Sequence, residues 1–465
     1  MNKKFLLIIA IILTVYFSSE FIYYNNWDFI SRLTNAKFLL NNGPYIYINN
    51  APLENFLLEI LIIIFKNYSP FIYFFIFSLV FLFSAYLIVR LFNKNEYYVL
   101  ALISPFLIFF GIKNGSELPV ISFILITFYF SIKKNPLAGL SMGLAILSKF
   151  YALFFLPVLF FGFENKKRFY YYILLSLALL ILILTPYFVF MKNLIGFSLG
   201  GIALSFWSTE GLSPNYLAFL VSTIEIWPFI LFIVYNRKRF LKEFEKRKHL
   251  FISAFLLFLI SIYIGVDASK LAQGLVATNE FRFTLPSSVF ISLLTIPLFK
   301  NKKDLITYFA LSYTLAIILF LIFINHATPS SFINSQYLAY KSVFQNKTCI
   351  VQSNNWIYLD YLGVPSIPIS FNSSIYPIIS NLPLSNSTKL NINSYTFYIS
   401  GNKCSSGKII LGTDTIIIEN KTNTYYLNLV GKYEAYNKSE FNPCKFAFDS
   451  GIIYDICMYP NFILN

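Results

Sequence analysis

Long uninterrupted apolar runs occupy most of the first 325 residues and are separated by short basic segments. Clear examples are Phe71–Val89, Phe169–Phe190 and Leu305–Ile324. Each run is close to the roughly 20 apolar residues that a helix needs to cross a bilayer. Lipid offers the backbone no hydrogen-bond partners, so runs of this length are expected to be α-helical. The pattern therefore predicts a mainly α-helical, polytopic membrane protein.

The basic segments indicate how these helices are oriented, because cytoplasmic loops are enriched in Lys and Arg. We interpret the N-terminal MNKKFLLIIAIILTVYFSS as an uncleaved first span that starts in the cytoplasm, although the pattern is also typical of a signal peptide. All strong basic clusters then lie on the cytoplasmic side, and about eleven spans place the C-terminus outside. The spans expected after the first are residues 71–90, 97–112, 118–132, 136–149, 150–162, 169–191, 216–235, 250–265, 283–299 and 305–324.

One apolar stretch, Leu53–Phe65, does not fit this count. A full span here would turn Arg90 and Lys94 to the outer side, against the charge rule. We expect instead a short or re-entrant helix on the outer side, within a first outer loop of residues 19–70. Whether this stretch crosses the membrane stays open. Residues 1–325 are expected to form one transmembrane domain.

The chain changes character after Ile324, because residues 326–465 lack long apolar runs and are rich in Asn, Ser and Thr. The segments SYTFYIS, KIILGTDTIIIE and TYYLNLVGKYEAY are typical of strands. All four cysteines and five N-x-S/T sequons lie here, which favours disulfides in an oxidising compartment. We expect an extracytoplasmic α/β or β-rich domain with its three possible cysteine pairings open. The cysteines are Cys349, Cys404, Cys444 and Cys457, and the sequons begin at Asn346, Asn372, Asn386, Asn420 and Asn437.

Composition supports a membrane location over a soluble one. Hydrophobic residues are 57% and charged residues 12% of the chain, about half the charged fraction of a soluble domain. The net charge of +15 comes mostly from the basic loops, so it indicates membrane orientation and not a nucleic-acid surface. No zinc spacing, P-loop or dinucleotide motif is present. We expect a multi-pass protein in the plasma membrane of a prokaryote.

Ionisable residues near the membrane are costly, so each is a candidate functional residue. The topology places ten of them on the outer side, at the ends of several spans. Such a face suits an outer cavity with an acid/base group and cations for an anionic substrate. The ten are Asp28, Arg32, Glu54, Glu59, Glu117, Lys149, Glu210, Asp267, Glu280 and Arg282.

Asp28 lies in a segment with apolar residues at helical spacing. The pattern predicts a short amphipathic helix on the membrane surface, with polar residues on the opposite face. Asp28 is equally explained as an acid at a helix N-terminus. The apolar positions are Phe29, Leu33, Ala36 and Leu40, and the polar positions are Asp28, Arg32 and Asn35.

Three further candidates lie at the ends of spans. Glu117 directly precedes a span and is also explained as an N-terminal helix acid. Lys149 separates two apolar stretches, where its charge is expensive unless it has a role or reaches the interface. Glu280 and Arg282, two residues apart, project to one side if the backbone is extended; Arg282 is also explained as an interfacial anchor.

These pieces, in this order, resemble the polyprenyl-phosphate-sugar-dependent glycosyltransferases of the GT-C fold, which include dolichyl-phosphate-dependent mannosyltransferases. Asp28 resembles the essential Asp that the family carries in its first outer loop. It is followed here by Asn42-Gly43-Pro44-Tyr45 and by the helix NNAPLENFLLEIL, where Ala51-Pro52 replaces a Pro-Pro pair that is common in the family. Gly115-Ser116-Glu117 is similar to a family motif but lacks its glutamine. AGLSMGLAILSKFYALFFLPVLFF is similar to a stretch with a lysine and a proline, here Lys149 and Pro157.

Two later segments extend the resemblance. NEFRFTLP resembles an E-x-R-F/Y-x-x-P motif before a late span, and VQSNNWIYLDYLGVPSIP looks like the start of the outer soluble domain of some members. The resemblance covers most of residues 1–300 as an ordered set of short motifs, each of them degenerate. Its strength is the order of the motifs together with a topology that places all of them on the outer face.

The resemblance implies an inverting transfer of a hexose, such as mannose, from a polyprenyl-phosphate donor to an acceptor hydroxyl. Asp28 is then the general base. Lys149 and Arg282 hold the lipid phosphate as the leaving group, with Glu280 and Arg32 as further substrate-binding candidates. Glu117 orients the acceptor or, with Asp28, a divalent cation such as Mg²⁺ or Mn²⁺, which some relatives use. Expected partners are the lipid-linked donor, a glycan, lipid or protein acceptor, and membrane lipids, but no nucleic acid.

Three other functions share parts of this pattern. A lipid or sugar flippase would need ionisable groups near the midplane, whereas these are expected near the outer face. A polymerase or ligase of lipid-linked glycans uses the same donor class and stays open. An oligosaccharyltransferase usually carries WWDYG, and Trp356–Gly363 has WIYLDYLG instead.

Overall fold

The computed structural model describes two groups of residues. The helical part comprises residues 9, 11–13, 27–40, 50–92, 94–103, 107, 116–161, 166–195, 198–207, 213–269 and 281–324, with some side chains omitted. The strand part comprises residues 350–353, 366–367, 387–392, 395–400, 408–411, 415–420 and 423–428, by backbone only. Residues 1–19, 49–57 and 64–327 form one compact unit, and residues 20–48, 58–63 and 328–465 form another.

Thirteen α-helices follow one another in the part of the chain that the structure describes, joined in places by 3₁₀ turns. They are α1 Trp27–Leu40, α2 Leu53–Phe65, α3 Ser69–Leu91, α4 Glu117–Ile132, α5 Leu137–Ser148, α6 Lys166–Ile195, α7 Gly200–Trp207, α8 Tyr216–Ser222, α9 Trp227–Tyr235, α10 Arg237–Lys246, α11 Lys248–Ala268, α12 Phe281–Thr295 and α13 Lys302–Ile324. The 3₁₀ helices are Lys66–Tyr68, Glu96–Leu102, Phe150–Phe160, Thr223–Ile226 and Ile296–Leu298.

Three of the described helices are long and apolar enough to cross a membrane. They are Ser69–Leu91, Arg168–Asn193 and Lys248–Ala268. In the 18-residue apolar stretch of Arg168–Asn193, only 22% is buried inside the protein. Most of this stretch therefore faces outward, as lipid contact requires. The prediction of a mainly helical membrane protein is therefore supported in its coarse form, whereas the number of spans stays a prediction.

Several expected spans are shorter than a straight crossing. Helix α5 has 12 residues and ends at Ser148, and a separate 3₁₀ helix of 11 residues, Phe150–Phe160, follows it. At about 1.5 Å per residue, α5 rises about 18 Å, well below the roughly 30 Å hydrocarbon core. The extended backbone of Lys149, with φ −159° and ψ 125°, separates the two elements.

Helices α3 to α6 pack in sequence, and α11 packs on α12. Small residues allow the closest of these approaches. A Cβ at Gly139 of α5 would overlap the backbone carbonyl of Ser176 on α6, so this pair of helices meets almost backbone to backbone. Small residues at such crossings are typical of helix packing in membranes, where dispersion contacts replace the hydrophobic effect.

Two cations join elements at the end of the bundle where the cytoplasmic loops are expected. Lys94 donates to the Phe299 carbonyl at 2.6 Å, and Arg239 donates to the Leu298 carbonyl and to Asp304. Both carbonyls belong to the end of the short 3₁₀ helix after α12, whose last oxygens have no helical partner. Burial lowers the pKa of the Lys94 ammonium. The loop cations thus also stabilise the fold.

In the second unit, α1 forms over the segment expected to be amphipathic, but its polar face is not exposed. Phe29 and Ala36, expected to face the membrane, are buried within the protein, and Arg32 and Asn35 are buried as well. The expected exposure of Arg32 and Asn35 at the membrane surface is therefore wrong. The side chain of Asp28 lies outside the described residues.

Seven strands form among the described residues of the C-terminal segment. They are β1 Ile350–Ser353, β2 Ser366–Ile367, β3 Ser387–Ile392, β4 Tyr395–Ser400, β5 Lys408–Leu411, β6 Thr415–Asn420 and β7 Asn423–Asn428. One sheet has the order β2-β1-β4-β3, parallel only between β1 and β2, and the other is an antiparallel β5-β6-β7 meander. Strands thus form in all three segments predicted to be strands. The four cysteines lie outside the described residues.

Single cysteines at residues 300 and 435 test the expected topology. In intact cells, a membrane-impermeant thiol reagent should label a Lys300→Cys chain no more than the parent chain, because this loop is expected to be cytoplasmic. An Ala435→Cys chain should be labelled strongly. Labelling at 300 with protection at 435 would reverse the orientation, and a detergent-permeabilised sample shows that both positions can react.

Candidate functional site

A partly buried ion pair joins two of the predicted site residues, 32 positions apart in sequence. Lys149 Nζ donates to Glu117 Oε1, and the two side chains are 19% and 1% exposed. Ser116 Oγ lies 3.4 Å from Glu117 Oε2. The sequence placed both residues near the outer ends of different helices, and the tertiary structure brings them together. The lysine is therefore held by a carboxylate inside the protein and does not simply extend to the interface.

Local backbone structure explains how each partner is placed. Glu117 is the first residue of α4, where unpaired N–H groups and the helix dipole favour a negative charge. Lys149 follows the last residue of α5, and its extended backbone turns the side chain out of the helical path. Its N–H still bonds the Ala145 carbonyl at 3.0 Å, so the end of α5 stays satisfied. The interruption of the helix at Lys149 thus places a cation where a continuous helix would not.

Tyr151 adds a phenol to the pair. The ammonium of Lys149 lies 5.2 Å from the centroid of the Tyr151 ring, within the range of a cation–π contact. The Tyr151 hydroxyl is buried and makes no hydrogen bond to the residues that the structure describes. Sequence analysis passed over this residue as one aromatic among many in SKFYALFFLP. Its position two residues after a membrane-depth lysine was the available signal.

Glu54 brings a second carboxylate to the same place. It lies in the first turn of α2, is fully buried, and interacts electrostatically with the Tyr151 hydroxyl, as Glu117 does. Glu54, Glu117, Lys149 and Tyr151, here called the outer polar cluster, all belong to the first compact unit. The cluster thus combines two carboxylates, one ammonium and one phenol.

The cluster is chemically able to bind an anion. Lysine carries three N–H donors, and one is directed at Glu117, while 19% of its side chain remains exposed. The carboxylate holds the ammonium in place, which spares a substrate part of the cost of ordering it. The described residues contain no group of three or more His, Cys, Asp or Glu side chains that would hold a metal ion. The expected pairing of Asp28 with Glu117 at a metal is not tested, because the Asp28 side chain lies outside the described residues.

The remaining predicted residues are only partly described. Arg282 lies in the first turn of α12, so its backbone is helical and does not meet the condition of an extended backbone under which it would project to the same side as Glu280. Glu280, Glu210 and the side chain of Arg282 lie outside the described residues. Glu59 and Asp267 are half-buried on α2 and α11 and take part in no contact described for the cluster.

Sequence analysis missed a third buried acid, Glu225. Glu225 lies in the 3₁₀ turn Thr223–Ile226, is fully buried, and accepts a hydrogen bond from Thr284 of α12. The signal was present, because a glutamate in the apolar segment STIEIWPFILF is a candidate by the rule applied to the other ionisable residues.

Comparison with known proteins gives no relative for this chain: no family model, no curated protein and no solved structure matches it.

Proposed function

We propose that this protein is a membrane glycosyltransferase that moves a hexose from a polyprenyl-phosphate donor to an acceptor hydroxyl, with inversion. The observation that carries the proposal is the partly buried Glu117–Lys149 pair. A cation fixed by a carboxylate in an apolar bundle, with part of its side chain still accessible, suits the phosphate of a lipid-linked substrate. The apolar surroundings suit its polyprenyl tail.

Each group of the outer polar cluster has a role in this proposal. Lys149 stabilises the phosphate as negative charge develops on the leaving oxygen. Glu117 orients Lys149. The Tyr151 ring lies within cation–π distance of the ammonium and helps to hold it in place. Apart from phosphate departure, the reaction needs only a base that takes the acceptor proton.

Asp28 is proposed as that base. It takes the proton of the acceptor hydroxyl while the hydroxyl oxygen attacks the anomeric carbon and the bond from that carbon to the phosphate oxygen breaks. Arg282 is proposed as a second phosphate ligand, since a guanidinium binds phosphate through two N–H groups. Both assignments follow from the family resemblance. A polymerase or ligase of lipid-linked glycans would use the same donor chemistry and differ in its acceptor.

Transfer of radiolabelled sugar from polyprenyl-phosphate donors, in membranes that contain the full-length chain, tests the reaction. Asp28→Asn is expected to lower transfer by about 100-fold or more, because a general base contributes roughly that factor. Membrane insertion and thermal unfolding should be unchanged.

Glu245→Gln is the matched control for the loss of a carboxylate. Glu245 is exposed on α10, which the topology places in the cytoplasm, so this variant should transfer at the wild-type rate. An active Asp28→Asn protein would remove Asp28 as the base. No transfer by the wild type with any donor in the panel would contradict the proposed function itself.

A further inference from the structure

A second polar site in the helical unit has no role in the proposed reaction. Glu225 is fully buried in the 3₁₀ turn Thr223–Ile226, and Thr284 Oγ1 donates to its Oε1. Its other oxygen, Oε2, makes no hydrogen bond to the residues that the structure describes. A buried carboxyl oxygen without a protein donor indicates that something else satisfies it.

The described surroundings of Glu225 offer no counterion. The turn packs against α8, α9 and α12. The titratable groups of α8 and α9 are Tyr216 and Tyr235, which are 65% and 88% exposed, and no described charged group interacts with Glu225. Helix α12 contributes Arg282, whose side chain lies outside the described residues. Among the described residues, no cation would offset the cost of keeping an ionised carboxylate here out of water.

Nearby hydroxyls define what this site can bind. Ser287 is fully buried, follows Thr284 by three residues on α12, and makes no hydrogen bond to the described residues. Residues three apart lie side by side on a helix. The described contacts at this site are therefore the carboxyl group of Glu225 and the hydroxyl of Thr284, with Ser287 one turn further along α12. Mg²⁺ and Ca²⁺ require about six or more oxygen ligands, whereas a proton requires one.

We propose that Glu225 is a proton-binding site inside the helix bundle and is held there as a neutral carboxylic acid. Oε1 accepts the Thr284 hydrogen bond, and Oε2 carries the proton. Thr284 belongs to the first turn of α12, so the neutral acid ties the turn Thr223–Ile226 to the start of that helix. Loss of the proton would leave a bare charge at this junction and loosen it.

Infrared absorption of the purified full-length protein in detergent micelles tests the protonation state. The spectrum of wild type minus Glu225→Gln at neutral pH should contain the carbonyl band of a protonated carboxylic acid and no carboxylate band. Glu243→Gln is the matched control, because Glu243 pairs with Lys246 and Arg247 on the surface helix α10. Its difference spectrum should contain carboxylate intensity only.

Thr284→Val keeps the test decisive if the Glu225→Gln protein does not fold. Removal of the hydroxyl donor should shift the acid carbonyl band to higher frequency without abolishing it. A carboxylate band in the Glu225→Gln difference, or an unshifted acid band in Thr284→Val, would overturn the proposal. A band that converts between the two forms when sodium chloride replaces choline chloride would identify an alkali cation instead and would also overturn it.

Discussion

Lys149→Met is expected to destabilise the protein and to abolish sugar transfer. Removal of the lysine leaves the Glu117 carboxylate, 1% exposed, without its cation. Removing one member of a buried ion pair typically costs about 3–5 kcal/mol, because the remaining charge stays out of water without the cation that balanced it. Transfer should fall by about 100-fold or more, because a preorganised group no longer stabilises the leaving phosphate.

A double variant separates these two losses. Glu117→Gln combined with Lys149→Met has no buried charge at this position, so most of the lost stability should return. Transfer should not return, since the phosphate still lacks its cation. Both effects are measured by thermal unfolding in detergent and by the radiolabel assay. The two measurements are made on the four members of this double-mutant cycle, which are the wild type, the two single variants and the double variant.

Two outcomes of this cycle would contradict the proposed role of the pair. A stable, active double variant would show that Glu117 and Lys149 only hold α4 and α5 together. A Lys149→Met protein that unfolds like the wild type would show that the carboxylate is not confined in a dry site. Tyr151→Phe is a milder companion variant, because it keeps the ring against Lys149 and removes only the hydroxyl.

Gly139→Ala is expected to destabilise the helix bundle by about 3 kcal/mol, the upper end of the usual cost of overpacking. The new Cβ would overlap the backbone carbonyl of Ser176, and a backbone atom cannot rotate out of the way. Helices α5 and α6 would have to separate along their crossing. Because Lys149 follows the end of α5, the displacement should also lower transfer.

Gly143→Ala is the matched control on the same helix. Its Cβ would overlap Cγ2 of Ile183, a side-chain atom that can be displaced without separating the two helix backbones. Alanine also favours the helix over glycine by about 1 kcal/mol, which offsets much of the crowding. The midpoint of thermal unfolding should therefore fall far less for Gly143→Ala than for Gly139→Ala. Equal shifts would contradict a backbone-limited contact at Gly139.

Helix positions were largely predictable because they depend on local patterns. A helix forms over the apolar stretch Leu53–Phe65, as expected, and α1 begins at Trp27, next to the expected helix-start acid Asp28. Lipid forces every apolar run to satisfy its own backbone, so composition and length are enough to predict a helix. Strand segments such as Tyr395–Ser400 were recognisable from alternation in the same local way.

Side-chain environment was less predictable, and α1 shows why. Its apolar spacing placed Phe29, Leu33 and Ala36 on one face, expected toward the membrane, and they are buried within the protein. The same spacing implied exposure of Arg32 and Asn35, which are in fact buried. A periodic pattern reports only which face is most apolar, while the burial of the other face depends on what packs against it.

The sequence by itself determined that this is a helical membrane protein, where most of its helices lie, and that Glu117 and Lys149 are costly residues in apolar surroundings. Each of these conclusions depends on residues within about 20 positions of one another and on the thickness of the bilayer. Only the tertiary structure decided that Glu117 and Lys149 form a pair, that Glu54 and Tyr151 join them, and that Glu225 accepts from Thr284. These contacts link helices that are distant in sequence. Which residues meet depends on how the helices pack, and the local sequence around each charged residue does not specify its partner.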